Sequence, residues 1–241
     1  MRLKRAFRSL LMKAGYDVLR FEPASHVLAR RKRLLEQYAI DTVLDVGASM
    51  GQYAEELRRD LGFSGNIISF EPQSQAFEVL RKHAARDPRW EVNNFALGDE
   101  DGTADIHIAG NSFSSSFLDM LSSHIDSAPD SSYVGSETTC VKTLDSVIDS
   151  CCSSENNIYL KIDTQGFEHK VIKGAEKSLE RICMIQLEMS LVPLYDGQVL
   201  FDDLHSLLTE KGYRPVSLEP GFADKESGHL LQVDGIYHHM M

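Results

Sequence analysis

The chain has 241 residues, 42% of them hydrophobic and 25% charged, with 16 Gly, 7 Pro and 4 Cys. That composition excludes a disordered or fibrous chain, and no run of about 18 apolar residues offers a membrane-spanning helix. The net charge of −11 is unevenly spread. Residues 1–33 hold ten Lys/Arg against Asp17 and Glu22, a balance of +8, while the rest holds 15 basic and 34 acidic side chains, a balance of −19. A body this acidic argues against a nucleic-acid partner, because neutralising phosphates takes clustered Lys/Arg. Cys140, Cys151, Cys152 and Cys183 show no Cys-x-x-Cys spacing, which argues against a zinc ribbon or a redox pair and makes a reduced, cytoplasmic compartment the expectation.

In chain order, Leu3, Phe7, Leu10, Leu11, Ala14 and Val18 recur at helical spacing among cations. They predict a basic amphipathic extension over residues 1–38. It either packs on the body with its cations solvated or makes peripheral contact with a membrane or partner. A single domain is expected over 39–241. Thr42–Val46 reads as a strand buried on both faces, followed by Gly47, Gly51 and a helix over 53–61. Asn66–Phe70 is a second strand, stopped by Pro72, and a helix follows over 73–85. Residues 90–97 read as a third strand and 104–109 as a fourth, joined by Gly-Asp-Glu-Asp-Gly turn chemistry.

Residues 110–136 hold ten serines and no sustained period. A loop this long is either a mobile surface insertion or a cover over the substrate, with Ser112, Ser114 and Ser115 as its candidate contacts. Strands over 158–162, 184–189, 213–218 and 231–239 then alternate with helices over 167–179 and 201–211. The final two strands have only a loop between them. The pitch implies βαβ units in a doubly wound, mostly parallel sheet with an antiparallel last strand.

In such a sheet ligands bind beyond the carboxyl ends of the strands. Asp45-Val46-Gly47-Ala48-Ser49-Met50-Gly51-Gln52-Tyr53 ends the first strand. Gly47 permits a tight turn, Gly51 permits close approach to backbone, and there is neither a phosphate-loop Lys-Ser/Thr nor a three-glycine pyrophosphate pattern. Asp45 suits an ammonium or a ribosyl-methionine group. Glu71, ending the second strand, suits a ribose diol; its alternative is a helix cap. Lys161, Asp163 and Glu168 surround a turn at Gly166, where they serve either chemistry or a structural ion pair. Glu188 ends the next strand and is expected to face the same cleft.

The segments VLDVGASMGQY, ISFEPQ, NNFALGD, KTLDS, LKIDTQGFEHKVIKGA and IQLEM together resemble the FkbM-type methyltransferases over roughly residues 40–239. The resemblance implies a class I, Rossmann-like methyltransferase fold with a seven-stranded sheet, S-adenosylmethionine as cofactor, and O-methylation of a sugar, glycoconjugate or natural-product hydroxyl. The family frequently has Asn where this chain has Ser49. On this reading Asp45, Gly47, Gly51 and Tyr53 face the methionine end, Glu71 the ribose, and Asn94, Ala96 and Leu97 the adenine. Asp163 is the expected base, with Lys161 and Glu168 orienting it. A divalent metal on Asp163, Glu168 or Glu188 is the less favoured rival, and no dedicated metal site is expected. The alternative from another class is a non-catalytic adenosyl-ligand or partner-binding module of the same fold.

Overall fold

The β-branched runs become strands wherever they are apolar enough to be covered on both faces, and the computed structural model describes residues 2–240 except Ser112, with backbone alone for 2–6. The chain opens with α1 (Arg2–Lys13) and α2 (Val27–Gln37), then β1 (Thr42–Val46), α3 (Gln52–Arg59), β2 (Asn66–Phe70) and α4 (Ser74–Ala84). There follow β3 (Trp90–Asn93), β4 (Ala96–Leu97), β5 (Gly102–Ala109), α5 (Ser122–Ser127), β6 (Tyr133–Lys142) and α6 (Leu144–Cys151). The last third holds β7 (Ile158–Ile162), α7 (Glu168–Lys173), β8 (Ile182–Ser190), α8 (Phe201–Glu210), β9 (Tyr213–Pro220) and β10 (Gln232–His239).

Seven strands form one sheet in the order β3-β2-β1-β7-β8-β10-β9. Only β10, the last in sequence, runs antiparallel to its neighbours. The chain moves outward from β1 to β3, then returns to place β7 on the other side of β1. The strand order therefore reverses between β1 and β7, which is where ligands of open α/β sheets bind. One face of the sheet is covered by Leu144, Val147, Val171, Ile172, Leu204 and Leu208 of α6, α7 and α8. The other is covered by Leu35, Ala54, Leu57, Leu80 and Ala84 of α2, α3 and α4.

Several expected boundaries shift. The strand expected over 90–97 breaks after Asn93, because Asn94 turns its amide onto the Glu71 and Pro72 carbonyls at 2.9 and 3.1 Å. Ala96–Leu97 and the 102–109 strand then join β6 in a separate three-stranded sheet, order β4-β6-β5. Neither β6 nor α6 was expected from the sequence. Charged and hydroxyl side chains interrupt the apolar run of β6, whose exposed residues dominate its first half. The helix expected over 167–179 stops at Lys173. Gly174 lies so close to the Gly98 carbonyl that a Cβ there would fall 1.8 Å from its oxygen. A short 3₁₀ turn, Ser178–Arg181, resumes the path.

The serine-rich segment is built in rather than loose: Ser114, Ser115, Ser116, His124 and Ser131 are buried. It holds α5 and the start of β6, and the Ser116 hydroxyl donates to the Gln165 carbonyl at 2.7 Å. At the N-terminus α1 ends at Lys13, so Ala14 and Val18 lie beyond the helix their spacing suggested. The cations of the basic segment are not uniformly solvated. Arg31 of α2 is 13% exposed and bonds Glu219 of β9 at 2.7 Å.

Candidate active site

Two cavities meet at the reversal of strand order. The first, about 250 Å³, is walled by Phe70, Pro72, Ala96, Leu97, Ile106 and Phe117, with Glu71, Thr164, Gln165 and Glu188 among its polar lining. The second, about 270 Å³, is lined by Arg31, Tyr53, Glu56, Lys161, Gln186 and Asp234. Gly47, Ser49, Phe113 and Asp163 line both, so the two are lobes of one crevice joined over the turn after β1.

The turn's shape follows from Gly47 and Glu71. Gly47 has φ +74°, and a Cβ there would sit 1.8 Å from the Asp163 carbonyl oxygen, so the loops after β1 and β7 touch only because residue 47 has no side chain. Glu71 accepts from the Ser49 N–H at 2.7 Å and the Gln73 N–H at 2.9 Å, one to each carboxylate oxygen. Ser49 itself is held in the left-handed region at φ 49°. Burial pushes the Glu71 carboxyl up to about 7, against the pull of the two N–H groups. A carboxylate oxygen has a second lone pair, so both oxygens retain accepting capacity.

Beneath the turn runs a buried polar row that the sheet register creates. Ser69, Asp45, Lys161 and Gln186 are direct cross-strand partners on β2, β1, β7 and β8. The Trp90 indole donates to Ser69 at 3.0 Å and the Ser69 hydroxyl to Asp45 at 3.2 Å. The Lys161 ammonium sits 3.2 Å from Asp45 and 3.5 Å from Asp163, and donates to the Gly47 carbonyl at 3.4 Å. Burial would lower this ammonium, but the two carboxylates hold it above its ordinary value. Tyr53 and Tyr159 both donate to the Gln186 carbonyl oxygen, at 2.9 and 2.8 Å.

A second network faces the first lobe. The Gln165 amide donates to Asp163 at 2.9 Å and to Glu188 at 2.7 Å, while its carbonyl accepts from Tyr195 at 2.8 Å. Gln232 donates to the same Glu188 oxygen at 2.7 Å. Burial, then the charges of Asp163 and Glu168, push the Glu188 carboxyl well above the usual range.

The expected site residues separate accordingly. Gly47, Glu71, Ala96, Leu97, Ser115, Asp163 and Glu188 line the first lobe, and Tyr53 and Lys161 the second. Five are placed otherwise. Asp45 is fully buried and serves as the counter-ion of Lys161, so the ammonium it was expected to meet in a ligand is the chain's own. Gly51 starts α3 at φ +97° with Trp90 and Leu80 where a Cβ would be, so packing demands glycine there. Asn94 bonds backbone. Glu168 turns away from the crevice: a single oxygen, Oε1, accepts from the Thr164 N–H, the Thr164 hydroxyl and the Gly166 N–H. Burial pushes that carboxyl up to about 7. Ser114 bonds Asn111 and gives its carbonyl to Tyr195; Ser112 lies outside the described residues. Among those residues no group of three His, Cys, Asp or Glu side chains is arranged to hold a metal ion.

Gln165, Phe113, Phe117, Arg31 and Asp234 were not expected. Gln165 stood inside the Asp-Thr-Gln-Gly-Phe-Glu turn, and its position before a glycine was the available signal. Phe113 and Phe117 were the only large apolar residues among Ser112–Ser116 and their neighbour. Nothing local marks Arg31 or Asp234, which β10 and α2 bring to the crevice from opposite ends of the chain.

A mostly parallel seven-stranded sheet with an antiparallel final strand, and a crevice where strand order reverses, defines the class I methyltransferase fold. The family model of the Methyltransferase FkbM domain matches residues 45–215, and the chain belongs to that family. Among solved structures it is similar to methyltransferase FkbM from Methylobacillus flagellatus KT, with TM-score 0.53 and 14% identity, covering 83% of this chain. The chain spans 44% of that protein's length. Weaker likenesses are an rRNA methylase from Streptococcus thermophilus (TM-score 0.48, 11% identity, 90% of this chain and 98% of that one). TrmK from M. capricolum, in complex with S-adenosyl-homocysteine, gives TM-score 0.47 at 9% identity over 85% of this chain and 67% of that one. No curated protein sequence matches.

Proposed function

We propose that the protein transfers a methyl group from S-adenosylmethionine to a hydroxyl of a sugar, glycoconjugate or similar polyol. The observation that carries this is the joined crevice, in which Glu71 and Asp163 face a common space across the Gly47 turn. The residues present fit the donor. Glu71 keeps accepting capacity for a ribose diol, and apolar walls from Phe70, Pro72, Ala96 and Leu97 suit a flat base. The Ser49 hydroxyl is buried between the lobes and makes no hydrogen bond within the chain. The second lobe carries Arg31 beside Glu56 and Asp234, a mixture of charges that suits a zwitterionic amino-acid end.

Bound there, S-adenosylmethionine supplies a methyl group already activated by its sulfonium charge. The chain's task is to align an acceptor oxygen and remove its proton; alignment of reactants is worth about 7–11 kcal/mol in favourable cases. Asp163 is the base. It is 38% exposed at the junction of the lobes, and its two oxygens are oriented by Gln165 and Lys161. Lys161 is a positioning residue, and its fixed positive charge offsets the carboxylates on either side. Asp163 and Glu188, bridged by Gln165, present adjacent hydrogen-bonding groups that suit neighbouring hydroxyls of one acceptor. Glu168 shapes the 164–166 turn from behind.

The test pairs calorimetry using S-adenosylhomocysteine with a radiolabelled-methyl assay on oligosaccharide and glycolipid extracts. Binding with label appearing in a base-stable ether is expected. A protein that binds no S-adenosylhomocysteine refutes the donor; one that binds it but labels only nitrogen or carbon acceptors refutes the hydroxyl.

A further inference from the structure

We propose that residues 7–21 dock this protein on an anionic lipid bilayer, with α1 lying in the plane of the interface. The proposal is independent of the reaction above. Among the described residues, seven of the fifteen exposed large apolar side chains fall in this one segment: Phe7, Leu10, Met12, Tyr16, Val18, Leu19 and Phe21. Such a concentration marks an interaction surface, whereas the other eight are spread over the rest of the chain, from Val27 to Met240, with no comparable cluster. Phe7, Leu10 and Leu11 are spaced to form one stripe of α1. Phe7 is 60% and Leu10 66% exposed, so this stripe does not cover the protein's own core.

Charge selects the occupant. Residues 1–20 contribute six Lys/Arg against Asp17 alone, whereas everything beyond residue 33 sums to −19. An anionic surface attracts the segment and repels the body, which fixes both the contact and its orientation. Two copies meeting through this face would oppose like charges. No helix among the described residues is long and apolar enough to cross a membrane, and at about 1.5 Å per residue the 12 residues of α1 fall short of the bilayer core. The fitting mode is therefore an interfacial helix whose aromatic and aliphatic residues enter the headgroup boundary while its cations meet lipid phosphate. The segment continues through residues 14–26 into α2, whose Arg31 lines the crevice, so docking holds the crevice close to the surface.

The experiment is co-sedimentation of the full chain with vesicles of phosphatidylcholine alone and with vesicles in which a third of the lipid is phosphatidylglycerol. Binding to the anionic vesicles, weakened by salt, is expected, with little binding to the neutral ones. Neutralising Lys13 and Arg20 together as Lys13→Gln and Arg20→Gln lowers the partition coefficient about 25-fold, since each basic residue near such a surface is worth roughly fivefold. Phe7→Ser with Leu10→Ser lowers it at least tenfold. Both variants keep the wild-type circular dichroism and melting temperature, because none of these four side chains is buried. Equal binding to neutral vesicles, or wild-type binding by either double variant, overturns the proposal. So does a protein that ignores both vesicles and instead self-associates in sedimentation velocity through a contact the Phe7→Ser, Leu10→Ser variant abolishes.

Discussion

The pH dependence of donor binding follows from one carboxylate. Glu71 is buried, and its carboxyl is pushed up to about 7. A ribose diol donates hydrogen bonds, which favours the ionised form. Ligand binding is therefore linked to loss of the Glu71 proton. At pH 8 about nine in ten molecules already carry the carboxylate; at pH 6 about one in ten does. The dissociation constant of S-adenosylhomocysteine should accordingly be nearly flat above pH 8 and rise about tenfold per pH unit below 7. Calorimetry at pH 6 in buffers of different ionisation enthalpy should show close to one proton released per ligand bound, and near pH 8.5 almost none. Glu71→Gln supplies the control. The variant loses the charge-assisted bonds, about 1.5–3 kcal/mol, so it binds roughly tenfold to over a hundredfold more weakly, and its binding no longer varies with pH. A flat wild-type profile, or an unchanged slope in the variant, refutes the assignment of Glu71 to the ribose.

Three further outcomes test the rest of the site. Asp163→Asn should cut turnover by roughly 10²–10⁴ while leaving S-adenosylhomocysteine affinity within about threefold; undiminished turnover removes Asp163 from the chemistry. Gly47→Ala brings a Cβ to within 1.8 Å of the Asp163 carbonyl in a left-handed conformation, so urea denaturation should show a loss of about 3 kcal/mol or more, with no detectable donor binding. Glu168→Gln should be tolerated, because all three donors converge on one oxygen that an amide retains. With the folded carboxyl pushed from its ordinary 4.5 to about 7, the wild type loses stability as pH rises from about 4.5 to 7 and stays at the lower level above, about 3 kcal/mol for this group. The variant should lack that share of the decline, be the more stable protein at pH 8, and turn over within a few-fold of wild type; a large fall in turnover at unchanged stability would return Glu168 to the chemistry.

The local sequence of this protein determined its strands and the loops that follow them. Continuous apolar runs such as Val43-Leu44 and Ile158–Leu160 need cover on both faces, and Gly47, Pro72 and Gly166 end or turn the chain whatever the surroundings. That is why the sheet class, the antiparallel final strand and the crevice residues Gly47, Glu71, Asp163 and Glu188 were legible. Which carboxylate faces the crevice was not. Asp45 and Glu168 have the same chemistry as Asp163 and Glu188, and only strand register and helix packing turn the first two inward, toward Lys161 and toward the Thr164–Gly166 backbone. The same holds for the break in the strand expected over 90–97, made by Asn94 reaching a neighbouring loop, and for Gly51, whose need arises from Trp90 some forty residues away. Arg31, Gln186, Gln232 and Asp234 carry no local mark, because their roles consist of partners contributed by distant strands. Periodicity and turn chemistry act within a few residues; side-chain orientation and hydrogen-bond partners are settled by long-range contact, which exists only once the sheet has assembled.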